Sequence, residues 1–314
     1  MRVISALALL AVVLGSSSRA KEPDLAELVA SARAALGGEA ALRAVTAFTV
    51  DGSTSRQLTS ITTSEHFEMS SVLPDKFLRV SRRAVGGPMS FDTIDTVGFS
   101  GTTPFRSTET NGPFPIPQPP PSPVRSTPEE AAARELKGVR RTFLETVVPL
   151  FIAAPASYGI ELTAGGKVPL GKGQADAIDL KGPDIGNWRL LLDEKTHLPI
   201  KIVWKAKPIV MFSTMMTTTT TTTSTVTTRR GEPPVMPAAP PPPPPVMTMP
   251  VGDPSANLDP VDWEMTIGDY KVADGLNWPH RVTTTFDGKK WEDTRIGKYK
   301  INPKIDPKKF ERRK

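Results

Sequence analysis

The chain of 314 residues carries 38% hydrophobic residues, a formal charge of +6 and no cysteine, so it can bury a sizeable core and must hold it by packing, without disulfides or thiolate zinc sites. The basic excess is mild and gathers in the tail, at Lys289, Lys290, Lys298, Lys300, Lys308 and Lys309, where it reads as the solvated face of strands or as a contact for an anionic lipid headgroup. With no recognised binding motif and the export signal that residues 1–20 carry, no nucleic-acid partner is expected.

Residues 1–20 read as a secretory signal peptide: Arg2 supplies the basic start, Ile4 to Leu14 the apolar run, and Ser18-Arg19-Ala20 a small-x-small cleavage site. The run is too short for a stable membrane anchor, no cysteine follows the site to carry a lipid, and no later apolar run reaches spanning length. The expectation is an exported, periplasmic protein whose mature residues 21–314 form a single domain.

Pro23 stands at a helix start, and Leu25, Leu28, Val29, Ala32 and Leu36 recur at helical spacing until Gly37-Gly38. The period then drops to two. Phe48 and Val50, then Ile61, Thr63, Glu65, Phe67 and Met69, then Lys76 to Val80, then residues 90–97 predict four meandering strands. Residues 103–126 are dense in proline and read as a stiff loop. It ends at Thr127-Pro128-Glu129-Glu130, a capping threonine, a proline in the first turn and a glutamate three residues after the cap. Leu136, Val139, Phe143, Val147 and Leu150 then make one apolar stripe, the mark of a helix that lies on something.

Extended segments return at residues 158–162, 175–180, 188–192, 200–204 and 209–212. Residues 217–260, with their threonine run and the prolines after Pro233, are too poor in apolar area to offset chain entropy and read as a disordered or polyproline insertion. Such an insertion can be an idle spacer or a docking segment for an envelope protein. Beyond it, Trp263 to Ile267, Trp278 to Phe286 and Trp291 to Ile301 alternate around Asp274-Gly275 and Asp287-Gly288, a strong sign of an antiparallel meander.

No reaction chemistry emerges. Gly166 to Gly173 imitates a phosphate-binding loop, but Gly173 replaces the hydroxyl residue, Pro169 interrupts it and a strand pattern follows. His66, His197 and His280 lie far apart, and Glu65, Asp92, Asp95 and Asp179 are spread along strands with no pair singled out. Neither a catalytic group, a metal site nor a cofactor is expected, and the chain reads as a non-enzyme.

Leu73-Pro74-Asp75-Lys76-Phe77, Leu191-Leu192-Asp193 with Thr196-His197-Leu198-Pro199, Asp274-Gly275-Leu276-Asn277-Trp278-Pro279 and Ile301-Asn302-Pro303-Lys304-Ile305-Asp306-Pro307 resemble the strand-end phrases of exported proteins in the LolA-like superfamily. That superfamily includes the lipoprotein carriers and the related stress-sensor subunit RseB. The resemblance implies a mainly β (α+β) fold: a long antiparallel sheet curled into an unclosed barrel, covered by an N-terminal helix and a capped mid-chain helix. It also implies a concave apolar face that receives acyl chains or another hydrophobic ligand.

The leading reading is an exported, non-enzymatic binding protein for a lipid or lipoprotein acyl chain, of carrier or sensor type. Its candidate cavity residues are Phe67, Met69, Phe91, Phe143, Val147, Trp204, Trp263 and Phe286, although aromatic residues at strand period also serve simply as core. The alternative is an envelope scaffold with a filled core that reaches a partner through its proline and threonine tracts.

Overall fold

The computed structural model describes residues 24–58, 61–85, 91–111, 127–171, 173–208 and 258–311. The expected signal peptide and most of both low-complexity stretches, residues 112–126 and 217–257, lie outside the described residues, as does the strand expected at 209–212. Among the described residues no helix is long and apolar enough to cross a membrane.

Two helices come first, α1 (Leu25–Ala35) and the short α2 (Glu39–Arg43). Five strands follow: β1 (Ala47–Leu58), β2 (Ile61–Val72), β3 (Lys76–Val85), β4 (Phe91–Ser100) and β5 (Thr103–Asn111). The chain then makes α3 (Pro128–Thr146), α4 (Val148–Ala153) and a 3-10 turn at Pro155–Tyr158. Four strands return, β6 (Glu161–Leu170), β7 (Gly173–Gly182), β8 (Gly186–Asp193) and β9 (Pro199–Ala206). The final meander is β10 (Val261–Ala273), β11 (Leu276–Phe286) and β12 (Lys289–Ile301), closed by a 3-10 turn at Pro307–Phe310.

All twelve strands join one antiparallel sheet in the order β5-β4-β3-β2-β1-β12-β11-β10-β9-β8-β7-β6. The two ends, β5 and β6, do not pair with each other, so the sheet curls without closing. The fold class is therefore the unclosed barrel expected from the sequence. The C-terminal meander sits in its centre, with β12 against β1 and β10 against β9, and splices the N-terminal five strands to the middle four. Register is held by backbone turns whose residues accept a left-handed conformation, Asp274-Gly275 and Asp287-Gly288 among them.

Two expectations are corrected. Residues 103–111 are not the start of the proline-rich loop; they form β5 and pair with β4 from Thr103 opposite Ser100 to Asn111 opposite Asp92. Pro104 is tolerated because β5 is an edge strand, where a missing N–H breaks no ladder on the outer side; the β-branched threonines supply the strand character. Five strands therefore precede α3, where four were expected. Residues 158–162 do not form one extended segment, since Tyr158 ends a 3-10 turn and the strand starts at Glu161. Beyond β12, which is central to the sheet, the chain buries Phe310 and packs its turn on β3 and β4.

One continuous core lies on the concave face, between the sheet and the helices. Within it Phe77, Phe99 and Phe143 form an aromatic cluster whose ring centroids lie 5.4 to 6.0 Å apart. At Gly52 a side chain would meet the Phe67 ring at 2.6 Å and the Arg295 carbonyl at 2.7 Å, so glycine is required for Phe67 to lie across β1.

A lidded concave face with a charged and aromatic mouth

The lid is built by local rules. The Thr127 hydroxyl accepts from the Glu130 amide at 3.2 Å while the Glu130 carboxylate accepts from the Thr127 amide at 3.0 Å, the capping box read in the sequence. From that start α3 turns Val139, Phe143 and Leu144 into the core. Arg140 straddles the two halves of the sheet: its guanidinium donates to the Gly101 carbonyl at 3.1 Å, approaches Asp184 at 3.8 Å and lies over the Phe99 ring. Burial raises the pKa of Asp184 above the ordinary value, against the pull of Arg140 and Lys137. Arg33 of α1 donates to the Ile152 and Ala153 carbonyls, at 3.0 and 3.1 Å, and ties α1 to α4. Asn277, in the hairpin after β10, binds the Ala35 carbonyl at 2.7 Å.

Under this lid the interior is largely packed. One hollow is about 70 Å³, lined by Phe67, Met69, Met265, Ile267, Ile296 and Tyr299 on its apolar side and by Arg79, Glu145 and Glu292 on its polar side; a more open one of about 290 Å³ lies beside Phe99, Phe143, Leu144 and Tyr158. The first volume suits a few water molecules; pockets for organic ligands run to roughly 300–1,000 Å³. Burial pushes the phenols of Tyr299 and Tyr270 well above the ordinary value, and the Tyr158 phenol up to about 12. Tyr299 donates to the Pro279 carbonyl at 2.8 Å and Tyr270 to the Pro199 carbonyl at 2.6 Å.

Toward the mouth, the same face changes character. Arg79, its guanidinium 4.5 Å from the Phe67 ring centroid, donates to Glu65 at 2.8 Å. Arg56 reaches Glu65 at 3.4 Å and Glu292 at 2.8 Å. Glu65 is 8% exposed, so a single carboxylate unites two guanidiniums in a largely dry setting. Burial lowers the pKa of Arg79 from its ordinary value, with Glu65 pulling against it. Burial also weighs on Arg56, but Glu292 and Glu65 outweigh it and raise its pKa. Glu145 of α3 is raised by burial despite its bond from Arg141 at 3.2 Å.

Beside this network runs an aromatic ladder across β8 to β12. Trp188 faces Trp204 at 5.6 Å, Trp204 stacks on Trp263 at 5.9 Å, Trp263 on Phe286 at 5.0 Å, and Phe286 meets Trp291 edge-on at 5.8 Å. The register explains it: Trp188, Trp204 and Trp263 are directly opposed across β8, β9 and β10, and Phe286 opposes Trp263. Arg141 lies over Trp188 and Trp204, 5.7 and 5.1 Å from their centroids. The indole N–H groups of Trp188, Trp204 and Trp263 are buried and meet no acceptor among the described residues. Network and ladder converge on a cleft of about 300 Å³ between Arg141, Glu145, Trp204, Trp263, Trp291 and Glu292. A wider hollow of about 660 Å³ runs past Trp188 and Trp204, walled by the ion pairs Arg189–Asp179 at 2.6 Å and Lys205–Asp262 at 2.9 Å.

No protein-family model matches the chain, and no curated protein matches it. Solved structures similar to it include an outer membrane lipoprotein-sorting protein domain from Vibrio parahaemolyticus, 8% identical over 90% of this chain and 94% of that one, with a TM-score of 0.41. A DUF1329 family protein from Desulfovibrio piger is 6% identical over 92% and 98%, with a TM-score of 0.44. A LolA superfamily protein from Nitrosomonas europaea is 10% identical over 90% and 97%, with a TM-score of 0.39.

The structure places Phe67, Met69, Phe143 and Val147 in the packed core; Phe67 and Met69 also line the small hollow. Trp204, Trp263 and Phe286 stand together on the ladder, away from that hollow. Phe91 opens β4, and its side chain lies outside the description. Sequence reading missed Trp188 and Trp291 as members of the ladder, and Arg56, Arg79, Arg141 and Glu292 as partners of the mouth. Laying the predicted hairpins in register would have aligned the tryptophans; nothing in the sequence brings Glu292 to Arg56. Among the described residues no three His, Asp or Glu side chains converge as a metal site. His66 pairs with Asp51 at 3.1 Å, His280 bonds the Ile296 carbonyl at 2.7 Å, and His197 sits in a turn with φ +56°. The phosphate-loop imitation is the hairpin between β6 and β7.

Proposed function

We propose that the protein is an exported, non-enzymatic binding protein of carrier type for a lipid or the acyl chain of a lipoprotein, with the helices over the concave face as its lid. The observation that supports this is the gradient along the concave face, apolar beneath the lid and charged at the mouth. A hydrocarbon chain needs the first and a polar headgroup the second. With about 70 Å³ at Phe67, Met69 and Tyr299 and about 290 Å³ beside Phe143 and Leu144, a long chain enters as α3 and α4 lift, replacing Phe143 and Leu144 against Phe77, Phe99 and Met69. Each methylene so buried contributes about 0.8 kcal/mol. The lid rests on a few side-chain ties, among them Arg33 to α4 and Arg140 to Gly101.

The absence of cysteine permits a clean test. Thr146 on the lid touches Met69 on β2 at 3.6 Å, so Thr146→Cys with Met69→Cys can be bridged by a short bis-alkylating (dihaloalkane) crosslinker that joins the two sulfurs and releases halide. The expected result is uptake of a fluorescent fatty acid by the uncrosslinked pair and its loss on bridging, with lipid recovered by mass spectrometry from protein purified out of its native envelope. Uptake that is absent in both states, with no co-purifying lipid, defeats the proposal.

A further inference from the structure

The outer face of the sheet, turned away from the helices, carries a second inference that is independent of any ligand under the lid. We propose that the lysines of β12 and of the tail after it form a surface that docks on an anionic phospholipid bilayer.

The two halves of this face are charged differently. Across β7 to β10 the outward cations meet carboxylates on the neighbouring strand, Arg189 with Asp179 at 2.6 Å, Lys201 with Glu264 at 2.8 Å and Lys205 with Asp262 at 2.9 Å, and the charges cancel. On β12, Ile296 and Tyr299 turn into the core and leave Arg295, Lys298 and Lys300 exposed. Among the described residues these three, with Lys304, Lys308 and Lys309 of the tail, make no side-chain ion pair. The carboxylates beside them are engaged: Asp51, opposite Lys298, holds His66 at 3.1 Å, and Asp306 accepts from the Lys308 amide at 3.0 Å. Glu311 offsets one of the cations. The tail ends in the turn at Pro307–Phe310, which packs on β3 and β4 with Lys309 beside Leu78 and Val80, outer-face residues that alternate with Phe77 and Arg79. The cations therefore form one band from β12 to β4, four strand steps or about 19 Å across. All but Arg295 are lysines, mobile point charges without the arginine fork that grips a single carboxylate or phosphate. None of Arg295, Lys298, Lys300 and Lys304 lines a hollow described above, so the band addresses an extended negative surface. The β10–β11 hairpin adds an apolar contact at the same place. Val272 is 71% exposed and opposes Asn277, and the next residue, Trp278, stacks on Tyr299 between Lys298 and Lys300. An exposed aliphatic group beside lysines suits the boundary between headgroups and acyl chains, which favours a bilayer over an acidic protein.

The test uses the exported protein and vesicles of phosphatidylcholine with or without phosphatidylglycerol, read by flotation. The parent should bind the anionic vesicles alone and come off as salt rises, because screening shortens the reach of exposed charges. Each lysine near an anionic surface is worth about a fivefold change in partition, so Lys298→Gln, Lys300→Gln and Lys304→Gln together should lose roughly a hundredfold. A matched variant, Lys181→Gln, Lys195→Gln and Lys205→Gln, removes the same charge from exposed positions of the other half and should bind like the parent. Val272→Ser, at unchanged charge, should weaken binding and keep its salt dependence. Every substituted side chain is exposed, and melting temperatures near that of the parent verify that each variant is folded. Equal binding to both kinds of vesicle, or binding to neither, overturns the proposal. Equal losses from the two lysine triples overturn it as well, since net charge alone would then be at work. So does capture of an acidic polypeptide by a chain that ignores the anionic vesicles, which puts a protein on the band.

Discussion

The two ends of the concave face do opposite things with the same sheet. Beneath the lid, Phe77, Phe99, Met69 and Ile267 of the sheet pack in one apolar core with Phe143 and Leu144 of α3. At the mouth, Glu65, Arg79, Arg56 and Glu292 hold charges in a half-dry setting, and the tryptophan row borders an open cleft. Apolar burial is non-directional and stabilises wherever shapes fit. Buried charge is directional and costs heavily unless each partner is present. The first end therefore supplies the stability of the closed form, and the second supplies polarity and orientation.

The sharpest way to break that contrast is to hollow the filled end. Phe143→Ala removes the ring that joins Phe77, Phe99 and Tyr158 and should cost about 3–5 kcal/mol in urea unfolding. A loss near zero would mean that α3 does not contribute to the core. At the mouth, Glu65→Gln leaves Arg79 without its carboxylate and should cost about 3 kcal/mol. Adding Arg79→Met should recover most of that, because Arg56 keeps Glu292 and the methionine keeps the contact on Phe67. A double variant as unstable as the single one would show that the network stabilises by more than mutual neutralisation.

The smallest effect concerns Glu145, where the two ends meet. Its pKa is raised from 4.5 by burial, so above that value the folded state holds a proton that the unfolded state has released, and stability falls as pH rises toward the raised pKa. Glu145→Gln removes this slope. The variant should gain thermal stability relative to the parent between pH 4 and pH 7 and match it below, as read by melting curves at constant ionic strength.

Legibility in the sequence followed the range of the interactions. The capping box at Thr127, the apolar stripe through Val139 and Phe143, and the Asp-Gly hairpins around β11 are settled within a few residues, and each is where the pattern put it. β5 was lost because prolines dominate the stretch that follows it, and only its place at the sheet edge makes Pro104 acceptable. Glu65 drew notice in the sequence only as an isolated carboxylate; it gains Arg79 through the β2–β3 hairpin and Arg56 through the β1–β2 hairpin. Glu292 enters through the β1–β12 pairing, 236 residues away from Arg56.

What the sequence by itself determined is the inventory: strands, their turns, the capped lid and the apolar periodicity, all written in local dihedral preferences and side-chain alternation. Tertiary structure alone decided that the last three strands lie in the middle of the sheet, that the tryptophans of β8, β9 and β10 stack in one row, and that the hollow at Phe67, Met69 and Tyr299 shrinks to about 70 Å³. Strand order and packing depend on which distant surfaces meet, and no periodicity encodes that choice. Side-chain volume at each position is visible in a sequence; the space left between positions is not.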